Sequence, residues 1–169
     1  MKMTKTIYLA GGCFWGMEKA MQCLEGIVNT TVGYANGHVD NPDYKLVCTD
    51  TTGHRETVKV EYDNDVVSLD TILKAYFICV DPTVKDRQGG DIGSQYQTGV
   101  YYVDDETKEF CEKYFSEEEK KHEQFFVELK QLENFWDAEE YHQNYLVKNP
   151  GGYCHVSSHE FELIKQLNK

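Results

Sequence analysis

The strongest constraint on this fold is the order of its predicted strands and helices. Each is recognised by the period at which hydrophobic residues repeat. The predicted elements are a strand at 6–10, a helix at 14–23, strands at 28–34 and 58–62, a helix at 69–77 and a strand at 99–103. This β-α-β-β-α-β order predicts an α+β two-layer sandwich with a ferredoxin-like core. Its helices are expected to cover one face of a mostly antiparallel mixed sheet.

The chain beyond this core carries weaker signals. Asp104-Asp105-Glu106 is predicted to open a charged helix, and residues 126–129 are predicted as a fifth strand. The following residues have no clear period apart from one short helix near the end. We therefore predict a single catalytic domain over 1–169, with a core of about 5–130 and an irregular C-terminal segment of about 131–169.

Charge and hydropathy exclude some classes of partner. The formal net charge is −12, so the chain should repel phosphate backbones, and we expect no nucleic-acid partner. No apolar run approaches the length of a membrane span, which predicts no membrane association. The basic start is followed by only a short apolar stretch, Ile7–Ala10, so a signal peptide is not expected and we predict a cytoplasmic protein.

Six cysteines lie at positions 13, 23, 48, 79, 111 and 154. No Cys-x-x-Cys pair is present, so we predict no metal site. Cys154, His155 and His159 lie close together in sequence, but three such residues near a chain end are weak evidence for a metal. The default expectation for a cysteine is a small buried hydrophobic residue, and we apply it to Cys23, Cys48, Cys79 and Cys111.

Cys13 differs from the other cysteines in its predicted setting. It follows a strand and the Gly11-Gly12 turn, and it begins a helix. The positive end of a helix favours a thiolate, so we expect the pKa of Cys13 to be lowered. The simple alternative is a buried cysteine in a tight turn, but the adjacent Phe14 and Trp15 favour a reactive site.

Further short motifs follow Cys13 in a fixed order. They are Gly11-Gly12-Cys13-Phe14-Trp15-Gly16, Gly33-Tyr34-Ala35, Asn41-Pro42-x-Tyr44, Thr52-Gly53-His54-x-Glu56, Asp81-Pro82-Thr83, Arg87-Gln88-Gly89-x-Asp91-x-Gly93-x-Gln95-Tyr96, Ala138-Glu139-x-Tyr141-His142-Gln143-x-Tyr145-Leu146 and Asn149-Pro150-x-Gly152-Tyr153-Cys154. The set covers nearly the whole chain and resembles the peptide-methionine (S)-S-oxide reductases, the A type of methionine sulfoxide reductase. The resemblance implies reduction of the S epimer of methionine sulfoxide, free or in peptides and proteins.

The resemblance assigns the first chemical step to two residues. The Cys13 thiolate would attack the sulfoxide sulfur and become a sulfenic acid. Glu56 would protonate the oxygen, since a glutamate sheltered beside aromatic rings has a raised pKa. For Glu56, an exposed strand residue is the alternative.

The resemblance also implies a set of substrate-binding residues. Tyr44 and Tyr96 would donate hydrogen bonds to the sulfoxide oxygen, and Asp91 would orient the substrate or the thiol. Phe14 and Trp15 would form an apolar wall for the S-methyl group.

Regeneration of the thiol is implied to use Cys154. It resembles the family's resolving cysteine, and the neighbouring glycines would let it approach Cys13 and form a disulfide that thioredoxin reduces. No cofactor is implied beyond an external thiol, thioredoxin or dithiothreitol. An incidental C-terminal cysteine, in an enzyme that uses one cysteine and an external thiol, remains the alternative.

Two further points stay open from the sequence. A cysteine hydrolase or acyl transferase would combine Cys13, a histidine and Glu56, although we expect His54 and His142 to form structural hydrogen bonds. After Gln95-Tyr96 the family usually has Arg-Ser, whereas this chain has Gln97-Thr98. The geometry of that loop is therefore not predicted.

Overall fold

The computed structural model describes residues 4–168. Its strands are β1 (Thr4–Ala10), β2 (Ile27–Ala35), β3 (Arg55–Asp63), β4 (Arg87–Gln88), β5 (Asp91–Ile92), β6 (Gly99–Tyr102), β7 (Glu128–Gln131) and β8 (Phe135–Asp137). Its α-helices are α1 (Phe14–Gln22), α2 (Tyr44–Val47), α3 (Leu69–Cys79), α4 (Asp105–Glu119), α5 (Tyr145–Lys148) and α6 (Ser158–Lys165), and 3-10 turns lie at Ser94–Tyr96 and Glu140–His142. Residues 1–3 and 169, part of the predicted domain range and of the expected N-terminus, lie outside this description.

The main sheet has six strands in the order β7-β6-β1-β3-β2-β8, and β4 and β5 form a separate hairpin. β3 pairs antiparallel with both β1 and β2, β6 pairs antiparallel with β1, and β7 pairs parallel with β6. Because β3 lies between β1 and β2, the central order β6-β1-β3-β2 is the ferredoxin-like arrangement. The predicted α+β fold with a mostly antiparallel mixed sheet is confirmed.

Alternation along β1 separates the two faces of the sheet. Ile7 and Leu9 belong to the main core beneath the helices, whereas Tyr8 and Ala10 belong to a smaller cluster on the other face. Burial of each large apolar side chain stabilises the fold by about 1.5–3 kcal/mol. Fully buried side chains of α1 and α3 cover the main face: Met17, Met21, Ile72 and Leu73.

Side-chain caps fix where the two long helices begin. Ser68 accepts the Thr71 amide hydrogen at 3.1 Å and so caps the start of α3. Asp104 accepts the Thr107 amide hydrogen at 2.7 Å and starts α4. None of the helices described between residues 4 and 168 has the length and apolar content needed to cross a bilayer.

The chain after residue 125 departs most from the sequence prediction. The predicted strand at 126–129 lies two residues further along, at Glu128–Gln131, because Phe126 instead donates its amide hydrogen to the Pro82 carbonyl at 2.8 Å. Within the segment predicted to be irregular, the structure adds the edge strand β8 and has two helices rather than one. Three or four residues are too few to show a period in sequence.

Tyr76 connects α3 to the end of β1, just before the Cys13 turn, and to the start of β6. Its hydroxyl donates to the carbonyl oxygens of Ala10 at 2.7 Å and Gly99 at 3.3 Å, and the side chain is fully buried.

We expect Tyr76→Phe to lower the free energy of unfolding by about 1–3 kcal/mol, because buried carbonyls lose a donor. Urea unfolding should detect this change, with the partly exposed Tyr102→Phe as a control. Equal stability of Tyr76→Phe and wild type would contradict the prediction.

Candidate active site

The backbone presents Cys13 at the first turn of α1. Cys13 is the N-cap residue, in an extended conformation, and its side chain is only 7% exposed. Gly12 has φ of +82°, which favours glycine, and a Cβ atom built there would lie 2.6 Å from Cβ of Gln88. The Gly11-Gly12 turn therefore lets the β4–β5 hairpin pack directly against the cysteine turn.

Glu56 reaches the same helix start from β3. Its Oε1 accepts the amide hydrogen of Phe14 at 3.2 Å, so the carboxyl group lies at the residue next to Cys13. The side chain is 1% exposed, and its second oxygen is buried without a hydrogen-bond partner in the described chain. Burial raises the pKa of Glu56 to about 8. The hydrogen bond from Phe14 lowers this pKa, and the charge of Asp91 raises it by a smaller amount. Glu56 is consequently protonated at neutral pH.

The expected lowering of the Cys13 pKa is wrong. Burial raises the pKa of the thiol well above its usual range, and the charge of Glu56 acts in the same direction. The backbone hydrogen bond from Trp15 lowers it, as the helix start should, but this effect is smaller than the loss of water. In the resting site, both Cys13 and Glu56 therefore carry their protons.

An aromatic wall stands beside Cys13. The Trp15 ring stacks on Tyr145 at 3.7 Å, and its Nε1 donates to Nδ1 of His142 at 3.0 Å. The His142 ring also lies 5.2 Å from that of Phe14 and 4.6 Å from that of Tyr44. Buried His142 thus fixes three of the predicted substrate-binding residues, and its predicted structural hydrogen bond is confirmed.

Tyr44 begins α2 and Tyr96 ends the 3-10 turn Ser94–Tyr96, but both face the carboxyl group of Glu56. Burial raises the pKa of both hydroxyls, and the charge of Glu56 contributes in each case. Both side chains are half-buried and remain protonated, so both hydroxyls are available as donors. The structure brings together these two predicted donors and Glu56.

Glu139 supports this arrangement and received no role from the sequence. Its two carboxylate oxygens accept the Tyr34 hydroxyl at 2.9 Å and the Tyr44 amide hydrogen at 3.1 Å. Glu139 therefore attaches the start of α2 to β2 and so holds Tyr44. Its place in the Ala138-Glu139-x-Tyr141-His142 motif was the available signal.

Asp91 and Cys154 lie on the side of the site formed by the β4–β5 hairpin. Asp91 accepts the Tyr153 hydroxyl at 2.8 Å, so the hairpin is tied to the residue before Cys154. Cys154 is a half-buried free thiol whose Sγ donates to the Val156 carbonyl at 3.3 Å. Asp91 and Cys154 are both close enough that their charges act on Cys13.

Comparison with known proteins shows the family to which this chain is similar. Residues 5–168 match the family model described as peptide methionine sulfoxide reductase. The chain is 48% identical over 164 residues to the peptide methionine sulfoxide reductase MsrA of Lachnoclostridium phytofermentans, covering 96% of this chain and 99% of the relative.

The chain belongs to the peptide methionine sulfoxide reductase family.

Solved structures of the family share the fold. Reduced Mxr1 from Saccharomyces cerevisiae is similar with a TM-score of 0.85 and 38% identity, over 89% of this chain and 88% of that one. Mxr1 in complex with Trx2 is similar with a TM-score of 0.61 and 27% identity, over 84% of each chain.

The departure from the usual family pattern at Gln97 has a structural consequence. Gln97 donates from Nε2 to the carbonyls of Thr98 at 2.9 Å and Phe126 at 2.7 Å, and its Oε1 accepts the Asp86 amide hydrogen at 2.7 Å. The side chain is buried. In this member of the peptide methionine sulfoxide reductase family, Gln97 connects the loop of Tyr96 to the segment before β7.

The hydrolase alternative finds no support in this peptide methionine sulfoxide reductase fold. His54 accepts the Gly37 amide hydrogen at 3.1 Å and bonds the Val39 carbonyl at 2.6 Å, which confirms its predicted structural role. Within residues 4–168, no histidine is hydrogen-bonded to Cys13. A cysteine–histidine pair of the hydrolase type is therefore not formed.

Burial of Glu56 gives the stability a defined pH dependence. The folded chain holds this proton up to a pKa of about 8, whereas the ordinary value is 4.5. Between these pH values the unfolded chain binds fewer protons, so the stability contributed by Glu56 falls as pH rises, by roughly 1.4 kcal/mol per pH unit. We expect Glu56→Gln to gain stability relative to wild type between pH 5 and pH 8.

Urea unfolding of both proteins across this pH range measures the effect. Glu109→Gln, an exposed substitution on α4, serves as the control and should follow the wild-type curve. A constant difference in free energy of unfolding between Glu56→Gln and wild type would show that Glu56 has no raised pKa.

Proposed function

We propose that this chain reduces the S epimer of methionine sulfoxide, free or in peptides and proteins, with electrons from a thiol. The observation that carries the proposal is the hydrogen bond between the Phe14 amide and a buried, protonated Glu56. It places an acid and the Cys13 thiol at one helix start. A sulfoxide needs this combination, because its oxygen must be protonated while its sulfur is attacked.

In the first step the Cys13 sulfur attacks the sulfoxide sulfur. Glu56 donates its proton to the sulfoxide oxygen, with Tyr44 and Tyr96 donating hydrogen bonds to the same oxygen. The Cys13 proton replaces the one lost from Glu56. The sulfur–oxygen bond of the substrate breaks and the oxygen is transferred to Cys13, so methionine is reduced by two electrons and Cys13 is oxidised to a sulfenic acid.

The aromatic wall supports recognition of the methyl group. Phe14 is buried at the helix start, and Trp15 is held rigid by its stacking on Tyr145 and its bond to His142. A fixed apolar surface favours the S-methyl group over a polar substituent. Asp91, on the opposite hairpin, orients the substrate through its remaining carboxylate acceptor capacity.

Regeneration proceeds through Cys154 in this proposal. Its thiol attacks the Cys13 sulfenic acid, and the resulting disulfide is exchanged with thioredoxin. The structure of Mxr1 in complex with Trx2 supports this choice of reductant. No cofactor is required, since the thiols supply all the electrons, and this need for reducing thiols favours a cytoplasmic location. The competing scheme uses Cys13 alone, with an external thiol.

The reaction is tested with separated S and R epimers of a methionine sulfoxide peptide and dithiothreitol. We expect loss of the S epimer alone, and none when Cys13→Ser replaces the wild type, because the oxygen then has no sulfur acceptor. Chromatography of the peptides measures both, and Cys23→Ser, which changes a cysteine outside the site, should remain active. Persistence of the S epimer would sink the proposal, and peptide cleavage without a reductant would favour the hydrolase.

Cys154→Ser separates the two schemes of regeneration. We expect one methionine per enzyme without reductant, because the first step does not need Cys154, and loss of turnover supported by thioredoxin. The amount of methionine formed with and without thioredoxin measures this, again with Cys23→Ser as the control. Undiminished thioredoxin-supported rates in Cys154→Ser would assign regeneration to an external thiol.

A further inference from the structure

His155, the residue after Cys154, is seated against the backbone that carries Cys13. A Cβ atom built on Gly16 would lie 3.2 Å from both Cε1 and Nδ1 of the His155 ring. A Cβ atom on Gly12 would lie 3.5 Å from its Cε1, and one on Gly89 would lie 3.6 Å from the His155 Cβ. Gly12 and Gly16 flank Cys13 in sequence, and together with Gly89 they leave a space that the His155 side chain fills. We call this space the glycine notch.

Packing is the main contact that holds the ring in the notch. Both ring nitrogens are buried, and neither makes a hydrogen bond of normal geometry within the described chain. Burial lowers the pKa of His155, although Asp91, Glu160 and a polar contact with the backbone of Gly11 act in the opposite direction. The imidazole is therefore neutral at pH 7 and behaves as a flat, closely packed ring.

His155 also marks a boundary between a fixed segment and an open one. On its C-terminal side, the Ser157–Glu160 capping box starts α6, whose Phe161 and Ile164 are buried in the core. On its N-terminal side, residues 149–153 are mostly exposed, and the last of them, Tyr153, is tied to the β4–β5 hairpin only through its hydroxyl bond to Asp91. A Cβ atom on Gly151 would meet nothing within 4 Å, so this part of the segment has free space around it.

We propose that His155 is a positioning residue for the disulfide step, because its seat in the glycine notch keeps Cys154 beside the Cys13 turn. The inference rests on the proposed function, in which Cys154 resolves the sulfenic acid. His155 is the buried end of the segment. The exposed residues before Cys154 adjust as its sulfur turns toward Cys13, and the Tyr153 hydroxyl bond to Asp91 keeps that side near the site.

The step that depends on this position is balanced by the two cysteines alone. The Cys154 sulfur bonds to the Cys13 sulfur as the sulfur–oxygen bond of the sulfenic acid breaks. The sulfenic acid supplies the hydroxyl group and the Cys154 thiol supplies one proton, so the oxygen leaves as water and the step needs no further proton. Sulfoxide reduction itself precedes this step and does not involve His155.

The test is a single turnover without reductant, in which two rates are followed. Methionine release measures the first step, and trapping of the remaining sulfenic acid and free thiols measures disulfide formation. We expect His155→Ala to release methionine at the wild-type rate but to form the disulfide about 10-fold more slowly, because the cysteine is no longer held in reach. Disulfide formation at the wild-type rate in His155→Ala would overturn the inference.

Two further variants distinguish positioning from other effects of the substitution. His155→Phe keeps a flat ring in the notch and removes both ring nitrogens. Because packing holds the ring in this proposal, the variant should restore most of the rate of disulfide formation. His159→Ala changes an exposed histidine on α6 and should match the wild type. A His155→Phe protein as slow as His155→Ala would show that the nitrogens, not the packing, are needed, and would contradict the positioning role.

Gly16→Ala tests the notch without altering His155. Its new methyl group would lie 3.2 Å from the His155 ring and from Cγ2 of Val156, so these neighbours must shift by a few tenths of an ångström. Slower disulfide formation relative to methionine release is expected here as well, even if His155→Ala does not fold. An unchanged ratio of the two rates would count against the inference. If the wild type itself keeps Cys154 as a free thiol after turnover, the resolving role fails instead, and this outcome is distinct from a failure of His155 alone.

Discussion

The hydrogen bond from the Phe14 amide to the Glu56 carboxyl group is the contact on which the site depends. It joins the start of α1 to β3, and the register that pairs Glu56 with Tyr34 sets its position. Burying a carboxyl group with one oxygen unpaired is unfavourable unless the group is neutral. The fold therefore tolerates Glu56 in its protonated form. The raised pKa that keeps Glu56 protonated also makes it a proton donor.

Burial affects both the acid and the thiol of the site. Removing water raises the pKa of Glu56 and of Cys13 together, so the resting site keeps an acid and a thiol side by side. A thiolate formed permanently at the helix start would face the oxidants of the cell without substrate, because thiolates are the reactive form. In the proposed mechanism the thiol loses its proton as Glu56 passes its own to the substrate oxygen, so activation of the thiol would follow substrate binding.

The sequence predicts the parts of the molecule that repeat or that follow a motif. Alternation along the strands and the helical periods of α1 and α3 predict the β-α-β-β-α-β order, and that order predicts the ferredoxin-like core whose strand pairs the structure shows. The motifs select Cys13, Glu56, Tyr44 and Tyr96, which the structure gathers in one place, whereas their roles remain predictions. The pKa of Cys13 was mispredicted because a helix start is visible in sequence, while burial by distant segments is not.

Other features depend on contacts between residues far apart in the chain. β8 is three residues long and is a strand only because β2 offers it an edge. The position of His155 requires glycines that lie far from it in sequence, at 12, 16 and 89, and no local pattern connects them.

The aromatic wall joins segments that lie far apart in the sequence. Trp15 precedes its partner His142 by 127 residues, and Tyr145 follows shortly after. During synthesis the cysteine turn is therefore made long before the residues that hold Trp15 in place. Any termination upstream of these residues yields a thiol protein without the aromatic wall.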